Sequence, residues 1–423
     1  GDGAGGRGDG GRQARSGRQW RTARGTPLAR IDRLFHAGLP PITLNPAADS
    51  DLPGSTAAEV SPTPSGAVTW TDPARHAAFD AWLAGVATPQ GLDPATLRPA
   101  SADASFRRYL RLDAREPGQP SRIVMDAPPS HEDCRPFVQV AGLLGGAGLA
   151  APEVLAWDEA QGFMLLSDLG DRTYLAELQA LDLSAGAGLK RADGLYRDAI
   201  DTLVNLQRID AAAVAPALPA YDRALMQREL ALFPEWYIAR HRGATLSERE
   251  QQQLDRCFEQ ILQVCLAQPA VLVHRDYHSR NLMVPLVEGR GPGILDFQDA
   301  VAGPASYDLV SLLRDAYIEW DEAIQIDWAV RYWERARKVG VPVADDFGGF
   351  WRDYEWMGLQ RHLKVLGIFA RLYHRDGKDG YLKDLPRVWR CAHHVAMRYS
   401  VLTPLARLLE KLENVQARDG FTF

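Results

Sequence analysis

Residues 271–302 read VLVHRDYHSRNLMVPLVEGRGPGILDFQDAVA. The apolar run Val271-Leu272-Val273 reads as a short strand that feeds His274-Arg275-Asp276-Tyr277-His278-Ser279-Arg280-Asn281, a segment too charged to be buried without a task. Leu282-Met283-Val284, the turn residues Glu288-Gly289-Arg290-Gly291-Pro292-Gly293 and the pair Ile294-Leu295 then predict a hairpin. Asn281 opens its first strand and Asp296 closes its second. Antiparallel pairing therefore brings both side chains to one end, beside the loop that carries Asp276. Mg²⁺ takes few protein oxygens and fills its remaining positions with water and phosphate oxygens, so Asn281 and Asp296 suit it, and Asp276 is left as a base. Phosphoryl-transfer enzymes use a loop Asp toward the acceptor hydroxyl, then an Asn and a later Asp on the metal. His274-x-Asp276-x-x-x-x-Asn281 followed by Asp296-Phe297 keeps that order. A surface hairpin with incidental acids is the plainer reading, and HxD alone is weak, but the joint spacing is specific.

On these residues the chain resembles the aminoglycoside phosphotransferase and choline kinase group. The resemblance implies an α+β, two-lobed protein-kinase-like fold, with a small antiparallel-sheet N-lobe and a larger, mostly helical C-lobe. A chain of 423 residues has room for both lobes and an extension. We expect a disordered extension over 1–66, a nucleotide-binding lobe over 67–170 and a catalytic and substrate lobe over 171–423. Gly, Arg, Ser and Pro dominate the extension, with eight arginines against three aspartates through Arg33. A nucleic-acid-binding arm, an Arg-rich targeting segment and a stretch outside the native product are the readings open to it. For the folded part, a net charge of -6 and a pI near 6.0 carry no nucleic-acid signature. The four cysteines lack zinc-site spacing, no run of about 18 apolar residues suggests a membrane span, and no signal-peptide pattern is visible. A cytoplasmic, monomeric protein without membrane or nucleic-acid partners is expected.

In the first lobe, Thr71-Asp72-Pro73 predicts a helix start. Residues 97–112 suggest strand, small-residue loop, strand, with Phe106 and Tyr109 in the second strand. The small residues there, Ser105 among them, let backbone N–H groups approach phosphates, although an ordinary hairpin turn reads as well. Ser105, Phe106 and Arg107 are the nucleotide candidates on this side. The third strand, Arg122 to Ala127, offers Asp126 where a kinase-like lobe carries its phosphate-holding lysine. Arg107, Arg108, Arg122 or the metal must then supply that charge. A helix over 132–147 and two further strands lead to Ser167-Asp168-Leu169-Gly170. If this is the hinge, the backbone of Leu166, Ser167 and Asp168 faces adenine.

The second lobe reads as helices with apolar stripes. Phe233-Pro234-Glu235-Trp236-Tyr237 combines aromatic faces with a carboxylate, so Glu235, Trp236 and Tyr237 are sugar candidates beside ordinary packing. Asp308 sits near the start of a helix expected over 306–318, where its charge complements the helix N-terminus. In relatives with this Tyr-Asp-Leu pattern the acid also steadies the catalytic loop, and His274 is assigned to loop support with it. Arg361 and Lys364, within Gln360-Arg361-His362-Leu363-Lys364, suit an anionic substrate group or a solvated face.

Further segments carry a narrower resemblance: Ala104-Ser105-Phe106-Arg107-Arg108-Tyr109, Val124-Met125-Asp126-Ala127-Pro128-Pro129, Phe163-Met164-Leu165-Leu166-Ser167-Asp168-Leu169-Gly170 and Leu232-Phe233-Pro234-Glu235-Trp236-Tyr237. They are similar to the bacterial anomeric sugar kinases of cell-wall recycling. That resemblance implies ATP and Mg²⁺ as cofactors and phosphorylation of N-acetylmuramate and N-acetylglucosamine at the C1 hydroxyl. It also implies that Asp126 in place of lysine is shared among active enzymes. Transfer to an aminoglycoside, choline or another small alcohol, and a nucleotide-binding pseudokinase, are the alternatives.

Overall fold

The computed structural model describes residues 68–101 and 107–414. The helix start read at Asp72 is there: its carboxylate accepts the Ala74 amide at 2.8 Å and the Arg75 amide at 3.3 Å, and α1 (Pro73–Ala87) follows. Five strands, β1 (Arg98–Ser101), β2 (Arg108–Leu112), β3 (Arg122–Asp126), β4 (Val154–Asp158) and β5 (Phe163–Ser167), form an antiparallel sheet in the order β1-β2-β3-β5-β4. Between β3 and β4 lies α2 (Arg135–Gly146). It begins three residues later than the sequence suggested, because Pro136 fits only its first turn.

Side chains alternate across the sheet and give it two cores. Leu110, Leu112, Val124, Phe163 and Leu165 pack under Phe79 and Leu83 of α1. Met125, Met164 and Leu166 pack on the other face with Phe137, Val140 and Leu144 of α2, continuous with the core of the second lobe. Register decides where Asp126 goes. It falls on the Val124 face, away from α2, and is 1 % exposed. Arg75 reaches it at 2.6 Å while lying 4.1 Å over the Phe163 ring, and Arg108 closes the pair from its other side.

The helical lobe begins with α3 (Tyr174–Ala180), α4 (Gly186–Gln207) and α5 (Arg223–Leu232), which continues as a π-helical segment, Phe233–His241. A capping box between Ser247 and Glu250 starts α6 (Glu248–Leu266). The strands β6 (Ala270–Val273), β7 (Leu282–Met283), β8 (Gly293–Ile294) and β9 (Val301–Pro304) follow. Next come α7 (Tyr307–Leu313), α8 (Glu322–Val339), α9 (Phe347–Asp376), α10 (Leu385–Arg398) and α11 (Thr403–Leu412). β7 pairs with β8 as the hairpin reading required, Leu282 opposite Ile294 and Met283 opposite Gly293. The partner of β6 is β9, which the sequence reading did not identify. The helix expected over 306–318 stops at Leu313. Among the described residues no helix is long and apolar enough to cross a membrane.

The spine of this lobe is α9, whose residues from Tyr354 through Gly367 are buried. Gln360, Arg361, His362 and Lys364 are therefore not a solvated face. They lie between 0 % and 7 % exposed, and such buried cations need partners inside.

Candidate active site

The loop after β6 is fastened from beneath. Asp308, wholly buried, accepts the backbone amides of His274 at 2.7 Å and Arg275 at 3.0 Å. Its role is thus to hold the loop backbone, and not only to complement a seven-residue helix. Burial pushes its carboxyl up to about 7 against the pull of those amides. His274 lies across the hairpin: its Nε2–H donates to the Leu295 carbonyl at 2.9 Å and its Nδ1 accepts the Asp276 amide at 3.2 Å. A carbonyl can only accept, so the proton sits on Nε2 and the ring is neutral. Burial lowers its pKa to about 4.

Two side-chain-bearing residues here adopt left-handed backbone, Arg275 at φ 78° and Asp296 at φ 61°. Such conformations cost energy and persist only where the surroundings impose them. Removing Asp308 by Asp308→Ala strands two buried N–H donors. The expected loss is about 3 kcal/mol, read as a shifted urea midpoint, and an unchanged midpoint would contradict the role given to Asp308.

His274 has a pH signature of its own. Its folded pKa lies below the ordinary 6.5, so its contribution to stability is full above that value and is lost as pH falls toward 4. The loss reaches up to about 3 kcal/mol. The raised Asp308 carboxyl slopes the other way, so the comparison that isolates His274 is wild type against His274→Asn. Their difference in unfolding free energy should shrink between pH 7 and pH 4.5.

Three groups meet at the hairpin's end. The Asn281 side-chain amide donates to the Asp276 carbonyl at 3.0 Å and to Asp296 Oδ2 at 3.3 Å, and Gln298 donates to Asp296 Oδ1 at 2.8 Å. The Leu295 amide bonds the Asn281 carbonyl at 2.9 Å, which locks the register that puts Asp296 beside Asn281. With its nitrogen committed, the Asn281 amide keeps its oxygen for a cation. Two oxygen donors of this kind fit a Mg²⁺ ion that takes its other ligands from phosphates and water. Among the described residues no group of three or more His, Cys, Asp or Glu could hold a metal alone.

Behind Asp276 stands a buried cation pair. Burial works to raise the Asp276 carboxyl, but Arg361, then Lys364, outweigh it and hold it down at about 2. Arg361 Nη2 lies 3.8 Å from Asp276 and its Nη1 donates to the Arg275 carbonyl at 3.1 Å and the Tyr307 hydroxyl at 3.2 Å. Lys364 reaches Glu229 at 2.8 Å, and Glu229 also accepts from Arg275 at 2.8 Å, Gln360 at 3.1 Å and the Tyr221 hydroxyl. Arg361 thus acts on Asp276, from behind, and is not laid out as a surface for substrate. Sequence reading missed Glu229 and Tyr221. The signal for Glu229 was its place on the Met226, Leu230, Phe233 stripe, where an acid must be buried.

On the nucleotide side, Ser105 and Phe106 lie outside the described residues. Arg107 pairs with Glu132 at 2.9 Å, just before α2. Arg108 is taken by Asp126, and Arg122 donates at 3.0 Å to the Pro120 and Ser121 carbonyls. Of the three cations weighed against the absent lysine, Arg107 is the one beside α2. The Leu166 side chain is in the core, Ser167 Oγ accepts the Glu153 amide at 2.8 Å, and Asp168 binds Arg111 at 2.6 Å and Ser121 at 2.7 Å. Their side chains are occupied, and the Ser167 N–H is taken by the Glu153 carbonyl at 3.0 Å.

The aromatic segment before α6 behaves differently from its reading. Tyr237 is wholly buried on Phe233, and its hydroxyl is held by Arg242 at 3.2 Å and by Glu413. It offers no face to a sugar and is a packing residue, imposed by the π-helical turn that rotates it inward. Trp236 is half-buried with Arg240 5.4 Å over its ring, and Glu235 is exposed. Among the described residues none of the three hydrogen-bonds or ring-contacts the 274–281 loop. Aromatic and acidic groups that do include Tyr317, 5.6 Å from the His278 ring and under Arg280, and Asp315, which accepts the Ser279 amide at 3.0 Å.

The model of the phosphotransferase enzyme family matches residues 96–344. The chain belongs to this family. It is 48 % identical over 319 residues to an N-acetylmuramate/N-acetylglucosamine kinase of Pseudomonas aeruginosa, covering 75 % of this chain and 89 % of that protein. A kinase of the same name from Neisseria meningitidis is 46 % identical over 325 residues, covering 77 % and 93 %. Among solved structures, the GDP complex of aminoglycoside 2'-phosphotransferase-IIIa aligns with a TM-score of 0.51 at 14 % identity, over 76 % of this chain and 99 % of that one. Ethanolamine kinase of Plasmodium vivax aligns with a TM-score of 0.50 at 11 % identity, over 74 % and 85 %. These two share the fold alone. The two-lobed kinase-like fold that the family resemblance implied is the fold of this phosphotransferase, and its family implies use of ATP.

Proposed function

We propose that this phosphotransferase moves the γ-phosphoryl group of ATP to the C1 hydroxyl of N-acetylmuramate and N-acetylglucosamine, as a cytoplasmic step in peptidoglycan recycling. The observation that carries the reading is the single amide of Asn281 joined to both the Asp276 backbone and the Asp296 carboxylate, in a chain 46–48 % identical to kinases of that name. Asn281 and Asp296 would hold Mg²⁺, which when bound neutralises charge on the donor phosphates. Asp276 sits one hydrogen bond away and orients the acceptor hydroxyl for in-line attack.

A carboxylate held at about 2 is a weak base, and the arrangement suits an acceptor that needs little help. An anomeric hydroxyl is more acidic than an ordinary sugar alcohol, so the acid's task is alignment. Arg107, braced by Glu132, supplies the phosphate cation that the third strand lacks. Asp126 belongs to a buried ion cluster on the opposite face, so its presence in the third strand does not argue for a pseudokinase.

The test is ADP release from MgATP with N-acetylmuramate and N-acetylglucosamine offered separately, beside an aminoglycoside, choline and ethanolamine. Turnover with the two amino sugars supports the reading. Turnover confined to an aminoglycoside or amino alcohol, or none with any acceptor, would overturn it.

A further inference from the structure

The two sugars named for the relatives differ in one charged group. N-acetylmuramate carries a lactyl ether carboxylate on O3, and N-acetylglucosamine does not. A site that takes both needs a cation near the acceptor hydroxyl that the carboxylate can reach and that loses nothing essential when the group is absent. Most cations around Asp276 are already committed. Arg361 is turned to Asp276 and Tyr307, Lys364 to Glu229, Arg275 to Glu229, and Arg387 to Asp384 at 3.0 Å.

Arg280 is different. It is exposed, immediately precedes Asn281 and stands four residues after Asp276. Its guanidinium lies 4.8 Å over the Tyr317 ring, and Tyr317 packs against Phe369 at 6.3 Å, which in turn packs on Tyr381 at 5.1 Å. The Tyr317 and Tyr381 phenols both lie beside this guanidinium. Among the described residues no carboxylate forms an ion pair with it. Asp315, two residues before Tyr317, accepts from the Ser279 and Tyr317 amides, both at 3.0 Å, and Asp384 holds Arg387. Between Arg280 and Asp276 in the chain lies His278, whose ring packs edge-on against Tyr317 at 5.6 Å and so ties the Arg280 seat to the catalytic loop.

We infer that Arg280, seated on Tyr317 and Tyr381, receives the carboxylate of an acidic amino sugar and sets the preference for N-acetylmuramate over N-acetylglucosamine. The inference rests on the sugar-kinase reading above. A planar guanidinium matches a carboxylate through two parallel hydrogen bonds, which an ammonium cannot reproduce. An aromatic seat holds that fork in place and lowers the entropy lost on binding.

The experiment compares kcat/KM for the two sugars, and for the methyl ester of N-acetylmuramate, in wild type, Arg280→Gln and Arg280→Lys. The ratio of N-acetylmuramate to N-acetylglucosamine should fall about 10- to 100-fold in Arg280→Gln, through KM, with partial recovery in Arg280→Lys. The wild-type enzyme should treat the neutral ester as it treats N-acetylglucosamine. A ratio unchanged in Arg280→Gln, whether activity toward both sugars drops together or stays, overturns the assignment. Failure of the wild-type enzyme to phosphorylate either sugar overturns the parent reading and the inference with it, and is seen before any variant is made.

Discussion

Asp276→Asn is expected to lower kcat by roughly 10²- to 10⁴-fold while the dissociation constant for MgATP changes less than threefold. The two effects separate because Asn281 grips the backbone carbonyl of Asp276 and not its carboxylate. An amide at the same position leaves the hairpin and its metal-facing oxygens as they are. It removes only the charge that aligns the acceptor hydroxyl. Nor should the variant unfold, since Arg361 keeps the Arg275 carbonyl and Tyr307, and Lys364 keeps Glu229. Steady-state ADP release together with titration calorimetry of MgATP checks both halves. A kcat within threefold of wild type would remove Asp276 from the mechanism.

Asp296→Asn should do the reverse. The backbone at φ 61° makes the choice of substitution decisive. Asn tolerates left-handed backbone, whereas Ala there adds strain of about 1–2 kcal/mol and would confuse a folding defect with a chemical one. Asn also keeps the side chain's size and an oxygen for Gln298. What it lacks is the second oxygen, which accepts a long 3.3 Å bond from Asn281 at the exposed end of the hairpin, and the negative charge that a divalent cation needs beside the neutral Asn281 amide. The Mg²⁺ concentration for half-maximal rate should rise and kcat should fall by roughly 10²- to 10³-fold, with the urea midpoint unchanged. Unaltered Mg²⁺ dependence would place the metal elsewhere.

Much of the site was legible because its spacing is local. His274, Asp276 and Asn281 sit within one loop, and the glycine-rich turn after Val287 announces the hairpin that returns Asp296 to Asn281. The period-two pattern of the sheet and the cap at Asp72 are local in the same sense. What could not be read depends on contacts between distant segments. Asp126 looked like a residue in the lysine's place until the register of β3 put it on the α1 face, with Arg75 from 51 residues away. The Gln360 to Lys364 run looked solvated because a charged helix face ordinarily is, and only the burial of α9 against Glu229 and Tyr307 shows otherwise. Tyr237 fails for a third reason. A π-helical turn shifts the phase of every side chain after Phe233, and no 3.6-residue periodicity carries that information.

The position of the phosphate in the product tests the central claim most directly. Wild-type enzyme incubated with MgATP and N-acetylglucosamine is predicted to yield a sugar whose reducing end is lost and whose phosphorus couples to H1 by ³¹P–¹H correlation. An intact reducing end with phosphorus on another carbon, or bound MgATP with no phosphorylated sugar, would contradict the account.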